Sequence, residues 1–288
     1  MRSVAVIVAV LLASTLDAGS SQRSLAISLR ARAFQPGEAV LVTIAPAAAV
    51  PQVVVRAFDR DWPAYQDTPR TWRALVGIDL DAKPGSYLLE AWARGSGTDD
   101  RASQTLRVVA KSFRTRTLTV DPDFVSPPPD MEARIVREAA EIEQMWNAGA
   151  AERLWTKPFT RPVPGQPNSA FGSRSVYNGV PRSPHGGADF PGRTGTPIHA
   201  PNAGRVVMAR ELYFTGNTVV IDHGLGLFSL LAHLSRIDVR EGDLLSEADL
   251  VGAVGATGRV TGPHLHWAVR LNGSRVDPMS LLAMVGKP

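Results

Sequence analysis

Between residues 204 and 271 the chain runs through five apolar, strand-like segments, most of them separated by gaps too short for a crossover helix. The segments are 204–209, 217–222, 227–232, 251–254 and 266–271, joined by glycine-containing turns. Parallel neighbours need a connection of a dozen residues or more, so this spacing predicts an antiparallel β-sheet.

The first third of the chain follows a similar rule. Leu25, Ile27 and Leu29 alternate with smaller or polar residues, the period of a half-buried strand. Further strands are expected at 39–44, 53–58, 72–80, 86–93, 103–110 and 116–120, with Pro36-Gly37 and Pro84-Gly85 as turns. About seven short strands with turn signals between them predict an immunoglobulin-like β-sandwich over residues 21–120. The cysteine and tryptophan pattern of antibody domains is missing, so the expectation concerns architecture alone.

Residues 121–129 are rich in proline and suit neither helix nor central strand. A helix follows, with Asp130 as its expected cap and Met131, Ile135, Ile142, Met145 and Trp146 on one face. Gly149 is the expected stop. Trp146 and Met145 are read as core packing against the neighbouring domain. Residues 155–184 carry Pro, Gly, Ser and Asn, with turns at Phe171-Gly172 and Asn178-Gly179, and read as a functional lip. Asp277-Pro278 is the cap and first turn of a short last helix.

The start of the chain bears on location. Arg2 precedes an apolar run from Val4 to Leu12, and Ala18-Gly19-Ser20 supplies small residues suited to signal peptidase. The run is shorter than the ~20 residues a membrane span needs. Residues 1–20 are therefore expected to be a signal peptide directing export to the periplasm or cell envelope. The alternative is a retained anchor. The chain has no cysteine, which rules out a lipoprotein anchor and any thiolate metal site. A formal charge of +4 suits anionic partners, but no basic run interleaved with aromatics favours nucleic acid.

Two histidine clusters about eighty residues apart carry the chemistry: His185-Gly186-Gly187-Ala188-Asp189 and Gly262-Pro263-His264-Leu265-His266, with His233 between them. His264 and His266, two apart at the head of a strand, point to one face. His185 and Asp189, four apart, can also share a strand face. Gly186 and Gly187 argue against helix there and leave room for substrate beside a metal. Three ligands of His/His/Asp type leave one tetrahedral position for water, as catalytic zinc requires. No His-Glu-x-x-His motif supplies a glutamate base, so His233 and His264 are the candidate proton carriers. His199 and His223, in turns, are read as structural. No Gly-x-Ser-x-Gly elbow, Ser-x-x-Lys or phosphate-binding Gly-x-x-x-x-Gly-Lys loop is present.

His-x-x-x-Asp, then Ala-His-Leu, then Gly-Pro-His-Leu-His resembles the lysostaphin-type (LytM-like) zinc endopeptidases that cut peptidoglycan peptides. The resemblance spans roughly residues 171–282, with softer matches at Gly195-Thr196-Pro197, Asp222-His223-Gly224 and Val276-Asp277-Pro278. It implies one zinc ion per chain held by His185, Asp189 and His266. His264 and His233 would be catalytic, handling the water and the oxyanion. Asn178 would lie at the cleft rim, with Tyr177 and Arg174 as further substrate-binding candidates. Leu231 departs from the family, where Tyr is common before Ala-His-Leu.

The expectation is an all-β protein with one or two helices. A signal peptide (1–20) precedes the immunoglobulin-like sandwich (21–120), a Pro-rich connector and helix (121–154), and an antiparallel LytM-like peptidase domain (155–288). It would be an exported zinc metalloendopeptidase hydrolysing stem or cross-bridge peptides through a zinc-bound water. Peptidoglycan peptides are the expected partner, nucleic acid is not, and the mature chain is expected as a monomer without stable membrane insertion. The competing reading is a non-catalytic wall-binding activator of another hydrolase; relatives of that kind lose metal ligands, whereas this chain keeps all three.

Overall fold

A computed structural model describes residues 25–95, 99–119, 127–168 and 171–286. The expected signal segment 1–20 and residues 121–126 of the connector lie outside the described residues. The chain divides into two compact units, Met1–Lys111 and Ser112–Pro288.

The first unit is built from strands β1 (Leu25–Arg30), β2 (Ala39–Pro46), β3 (Gln52–Ala57), β4 (Arg60–Trp62), β5 (Ala64–Thr68), β6 (Thr71–Gly77), β7 (Gly85–Arg94) and β8 (Asp99–Val108). They form two antiparallel four-stranded sheets, ordered β1-β2-β6-β5 and β4-β3-β7-β8. In immunoglobulin notation these orders are A-B-E-D and C′-C-F-G, which is the arrangement of that sandwich with one added edge strand. Alternation fills the core: Val40, Val42 and Ile44 from β2, Val53 and Val55 from β3, Leu89, Ala91 and Ala93 from β7 are all buried. The small strands β4 and β5 escape a reading of apolar period because the turn before β4 holds Phe58 and Asp59 at φ +53° and +58°. Left-handed turn residues are usually Gly or Asn. Phe58 packs its ring 4.6 Å from that of Tyr87 instead.

One expected sandwich strand belongs elsewhere. The segment foreseen at 116–120 is β9 (Thr115–Leu118), and it pairs in parallel with β10 (Arg174–Tyr177) of the second unit. With β11 (Val180–Pro181) these form a three-stranded sheet. Asn178-Gly179, at φ +51° and +83°, makes the two-residue turn between β10 and β11. The irregular lip is thus in part a hairpin. Gly172, at φ +80°, lies where a Cβ would meet the Phe113 ring at 2.1 Å, so only glycine lets the two segments close up.

The main sheet has nine strands. Its path runs β12 (Gly187–Pro191), β19 (His264–Leu271), β16 (Leu227–Ile237), β15 (Gly216–Asp222), β14 (Gly204–Leu212), β17 (Leu244–Leu245). Off this path, β18 (Leu250–Val254) pairs with β16 and with β13 (Pro197–His199), and β20 (Ser274–Val276) pairs with β19. Every pairing in this sheet is antiparallel, as the short connections dictate.

Helix α1 (Glu132–Trp146) covers part of one face. Trp146 packs with Met208, Val220, Phe228, Leu230 and Ala232, while Ile142 and Met145 border the cluster. Burying one such aromatic side chain stabilises the fold by about 2 kcal/mol. The expected cap differs: Asp130 sits in a 3₁₀ turn (Pro129–Met131), and the N-cap residue is Met131, which makes no side-chain bond. A tight turn carries the chain into the helix, so a polar side chain is not needed to fold its start. The helix yields at Asn147, just ahead of Gly149. Helix α2 (Pro278–Val285) begins as its sequence foretells, with Asp277 accepting a bond from the Met279 amide at 2.9 Å.

Candidate metal centre and groove

Strand β19 reads as a strict alternation. Leu265, Trp267, Val269 and Leu271 are buried on one face, and His264, His266, Ala268 and Arg270 share the other. Arg270 lies over the Trp146 ring at 5.5 Å. Helix α1 therefore covers one end of that face and the two histidines occupy the other.

Register brings the second cluster to the first. Asp189 on β12 pairs directly with His266 on β19. His185 lies just before β12, fixed by bonds from its amide to Ser173 O (2.9 Å) and from the Gly172 amide to its own carbonyl (2.8 Å). Gly187 has a different task from the one expected. A Cβ there would stand 2.8 Å from two ring atoms of His266 and 2.4 Å from Trp267 O. It makes room for a ligand side chain, whereas Gly186, with nothing within 4 Å of its Cβ position, borders the open groove.

Three donor atoms meet: His185 Nε2 to Asp189 Oδ1 is 2.9 Å, His266 Nδ1 to Asp189 Oδ1 is 2.9 Å, and His185 Nε2 to His266 Nδ1 is 3.0 Å. Three such edges would need three bridging protons, but two neutral imidazoles can offer at most two on these nitrogens. A single cation satisfies all three lone pairs at once. Two nitrogens and a carboxylate oxygen, with no sulfur, suit zinc in an open site. His185, Asp189 and His266 thus form a group that can hold a metal ion.

Electrostatics point the same way. Burial works to raise the Asp189 pKa, but hydrogen bonds from His185 and His266 hold it well below the usual carboxylate range. Burial, with the neighbouring His185, lowers that of His266 despite its bond to Asp189. The site keeps the carboxylate ionised and the imidazole neutral, the states a metal needs.

His264 and His233 stand beside the trio. His264 Nδ1–H donates to Gly262 O at 2.8 Å, and its Nε2 lies 3.7 Å from Asp189 Oδ1. His233 Nδ1–H donates to Thr257 O at 3.0 Å, and its ring centre is 4.9 Å from that of His264 and 6.0 Å from that of His266. Burial lowers the His233 pKa to about 4. Its backbone sits at φ +68°, where β16 slips register between its pairings with Asn217 and Val219. A non-glycine residue there is strained, and such strain concentrates at functional sites. The buried Leu231 pairs with Trp267 two residues earlier, so that departure from the family pattern fills core.

The five groups line a groove of about 640 Å³. Of the three substrate-binding candidates, Tyr177 lines it together with Ser173 and Ser175, while Arg174 and Asn178 do not. Strand alternation turns Arg174 away from that wall, and Asn178 is consumed by the hairpin turn. Two lining residues went unnoticed in the sequence: Arg182 and Arg259. A basic residue after a Thr-Gly pair is the only local hint of the second.

His223 is a structural residue. Fully buried, it donates Nδ1–H to Ala203 O (2.8 Å) and accepts at Nε2 from the Ser229 hydroxyl (2.9 Å). Trp267 Nε1 donates to the same oxygen at 3.2 Å. Burial lowers the His223 pKa to about 4.

Residues 183–278 match the family model for peptidase family M23. Over 113 residues the chain is 41% identical to the peptidoglycan DD-endopeptidase ShyA of Vibrio cholerae serotype O1, covering 39% of this chain and 26% of that protein. Over 97 residues it is 40% identical to the DD-carboxypeptidase/endopeptidase Mpg of Neisseria meningitidis serogroup B, covering 34% of this chain and 22% of that protein. The chain spans about a quarter of the length of these curated relatives. A solved Pseudomonas aeruginosa chain described as an M23 peptidase superposes with a TM-score of 0.69 at 33% identity, over 86% of this chain and 95% of that one.

Proposed function

Because the chain belongs to peptidase family M23, we propose that it is an exported zinc metalloendopeptidase that hydrolyses peptide bonds in peptidoglycan stem or cross-bridge peptides. The observation that carries this reading is the triangle of donor atoms of His185, Asp189 and His266, with two more imidazoles on the same groove. The peptidoglycan endopeptidase activity in the name of the Vibrio relative supports the substrate. The apolar run at residues 4–12 supports export to the envelope, where that substrate lies.

In this reading His185, Asp189 and His266 hold the ion. Zinc bound there would supply a Lewis acid that polarises the scissile carbonyl and lowers the pKa of water to about 7. The remaining work falls to the chain. His264 and His233 each commit Nδ1–H to a carbonyl, which leaves Nε2 of each neutral ring as the proton-accepting atom. One of them takes a proton from the attacking water; the imidazolium so formed donates to the developing oxyanion and then to the leaving amine. His264, nearer Asp189, is the better placed for the first task. Tyr177, with Ser175 of β10 and Ser173 just ahead of that strand, borders the peptide.

Digestion of purified sacculi, with released muropeptides identified by mass, tests the proposal. Wild type should bind one zinc per chain and release muropeptides. His264→Ala should keep its zinc and lose about 10²–10⁴-fold in rate, the worth of a general acid–base group. Zinc-loaded wild type that releases nothing would overturn the assignment.

A further inference from the structure

Glu138 is a buried carboxylate on helix α1, and no step of the reaction uses it. Residues 134, 138 and 141 share one edge of the helix, four and three apart. That edge meets the end of β14: Arg134 Nη2 lies 3.8 Å from Glu211, and Arg210 pairs with Glu141. Glu138 divides its two oxygens. Oε1 accepts from Arg134 Nε at 2.6 Å, a pair of helical neighbours, while Oε2 accepts from the Tyr213 amide at 2.8 Å, 75 residues away.

The Tyr213 amide needs such a partner. β14 and β15 close their ladder at the Leu212–Gly216 pair, so residues 213–215 lie in the turn beyond it. This turn forms part of the groove wall through Phe214 and Thr215. Its carbonyls are committed: Phe214 O accepts the Arg259 amide at 3.0 Å, and Thr215 O accepts the His233 amide at 2.9 Å. Gly216, at φ +60°, packs so closely on Thr257 that a Cβ would meet Thr257 Oγ1 at 2.3 Å. Thr257 O in turn accepts His233 Nδ1–H. Both the backbone and the ring of His233 are therefore held by this turn and the loop packed on it. A partly buried amide without an acceptor costs stability, and Glu138 supplies the acceptor that ties the turn down.

We propose that Glu138 is a positioning residue for His233: by binding the Tyr213 amide it fixes the 213–216 turn, and through that turn the place of the imidazole. The catalytic part of this proposal rests on the peptidase reading of the groove; the geometric part does not. Helix α1 then has two edges with two tasks. Ile142, Met145 and Trp146 pack against the apolar cluster of the sheet, and Glu138 holds the turn.

Amide hydrogen exchange in the zinc-loaded full-length chain, read residue by residue by NMR, tests it beside kinetics on a soluble peptidoglycan fragment. Glu138→Met keeps helix propensity and bulk but offers no oxygen. Exchange at the Tyr213, His233 and Arg259 amides should rise about tenfold or more, the scale of a lost bond to a charged group. Exchange in β19 and in the rest of α1 should be unchanged, and zinc should stay at one per chain. kcat should fall about ten- to a hundredfold, the scale of a small misplacement, with KM within about twofold of wild type. Glu138→Gln, whose side-chain oxygen can still accept from Tyr213, should restore slow exchange and most of the rate. Three results overturn the proposal: wild-type exchange at Tyr213 and His233 in Glu138→Met, fast exchange there with kcat unchanged, or a rise spread evenly over α1 and β19, which would make Glu138 a support of the fold alone. Wild type that cleaves nothing would sink the peptidase reading, while the exchange rates would still decide whether Glu138 holds His233.

Discussion

The two units solve burial differently. In the first, Glu38 is the only buried polar or charged residue among those described, and it is met by Arg32 at 2.9 Å and Lys111 at 3.1 Å. In the second, Glu138, Asn202, Thr218, Asp222, His223, Ser229, His233, Ser274 and Ser280 are all buried. Strained backbone divides in the same way. The first unit keeps Phe58 and Asp59 in one turn; the second holds Asn178, Leu225, His233, Ala248 and Asn272 at positive φ. The sandwich is almost wholly apolar inside. A sheet that must aim imidazoles hides more polar groups and bonds most of them, at a cost in backbone strain.

The sharpest way to break this contrast is at the donor triangle. His266→Ala should abolish stoichiometric zinc and lower muropeptide release by at least about a thousandfold, measured by metal analysis and sacculus digestion. Retained zinc would mean that other residues bind it.

Acid should strike the second unit next. His223 is neutral when folded, with its pKa lowered to about 4, against about 6.5 unfolded. Between those values the unfolded chain binds the extra proton, so stability falls as pH drops through this window, by about 3 kcal/mol in all. Urea midpoints at pH 7 and pH 4.5 should show it, and His223→Gln should flatten that pH dependence.

In the first unit, Glu38→Gln should cost about 2 kcal/mol by uncoupling Arg32 and Lys111 in a partly buried site, read by urea unfolding. Its zinc stoichiometry should remain that of wild type. A fall in zinc would erase the distinction between the units. Gly187→Ala adds a methyl group that must displace both the His266 ring and the backbone carbonyl of Trp267. Zinc affinity should fall about tenfold, the scale at which supporting positions act on a metal site, as measured by chelator competition.

Much of this was legible because it is local. The alternation from His264 to Leu271 is a burial pattern written in consecutive residues, and it alone puts His264 and His266 on one face. Asp277-Pro278 announces its helix for the same reason. What escaped was set by distant partners. The parallel pairing of β9 with β10 joins segments about sixty residues apart, and nothing in Thr115–Leu118 says which sheet will take it. Gly187 seems open to substrate until the register supplies His266 as its neighbour. Arg174 is the arginine singled out in the lip, but strand parity turns it off the groove, whereas Arg182 and Arg259 line it. Asp130 was a fair cap for a helix that enters through a 3₁₀ turn instead.

The pairing of β9 with β10 also decides where this chain can be divided. A shortened protein beginning at Glu132 or at Trp155 would keep all four histidines and the carboxylate of the centre yet discard the strand that flanks the groove's hairpin wall. It would also leave Gly172 facing the space of the lost Phe113 ring. The natural seam falls at Lys111, ahead of the proline-rich stretch that looks like the joint.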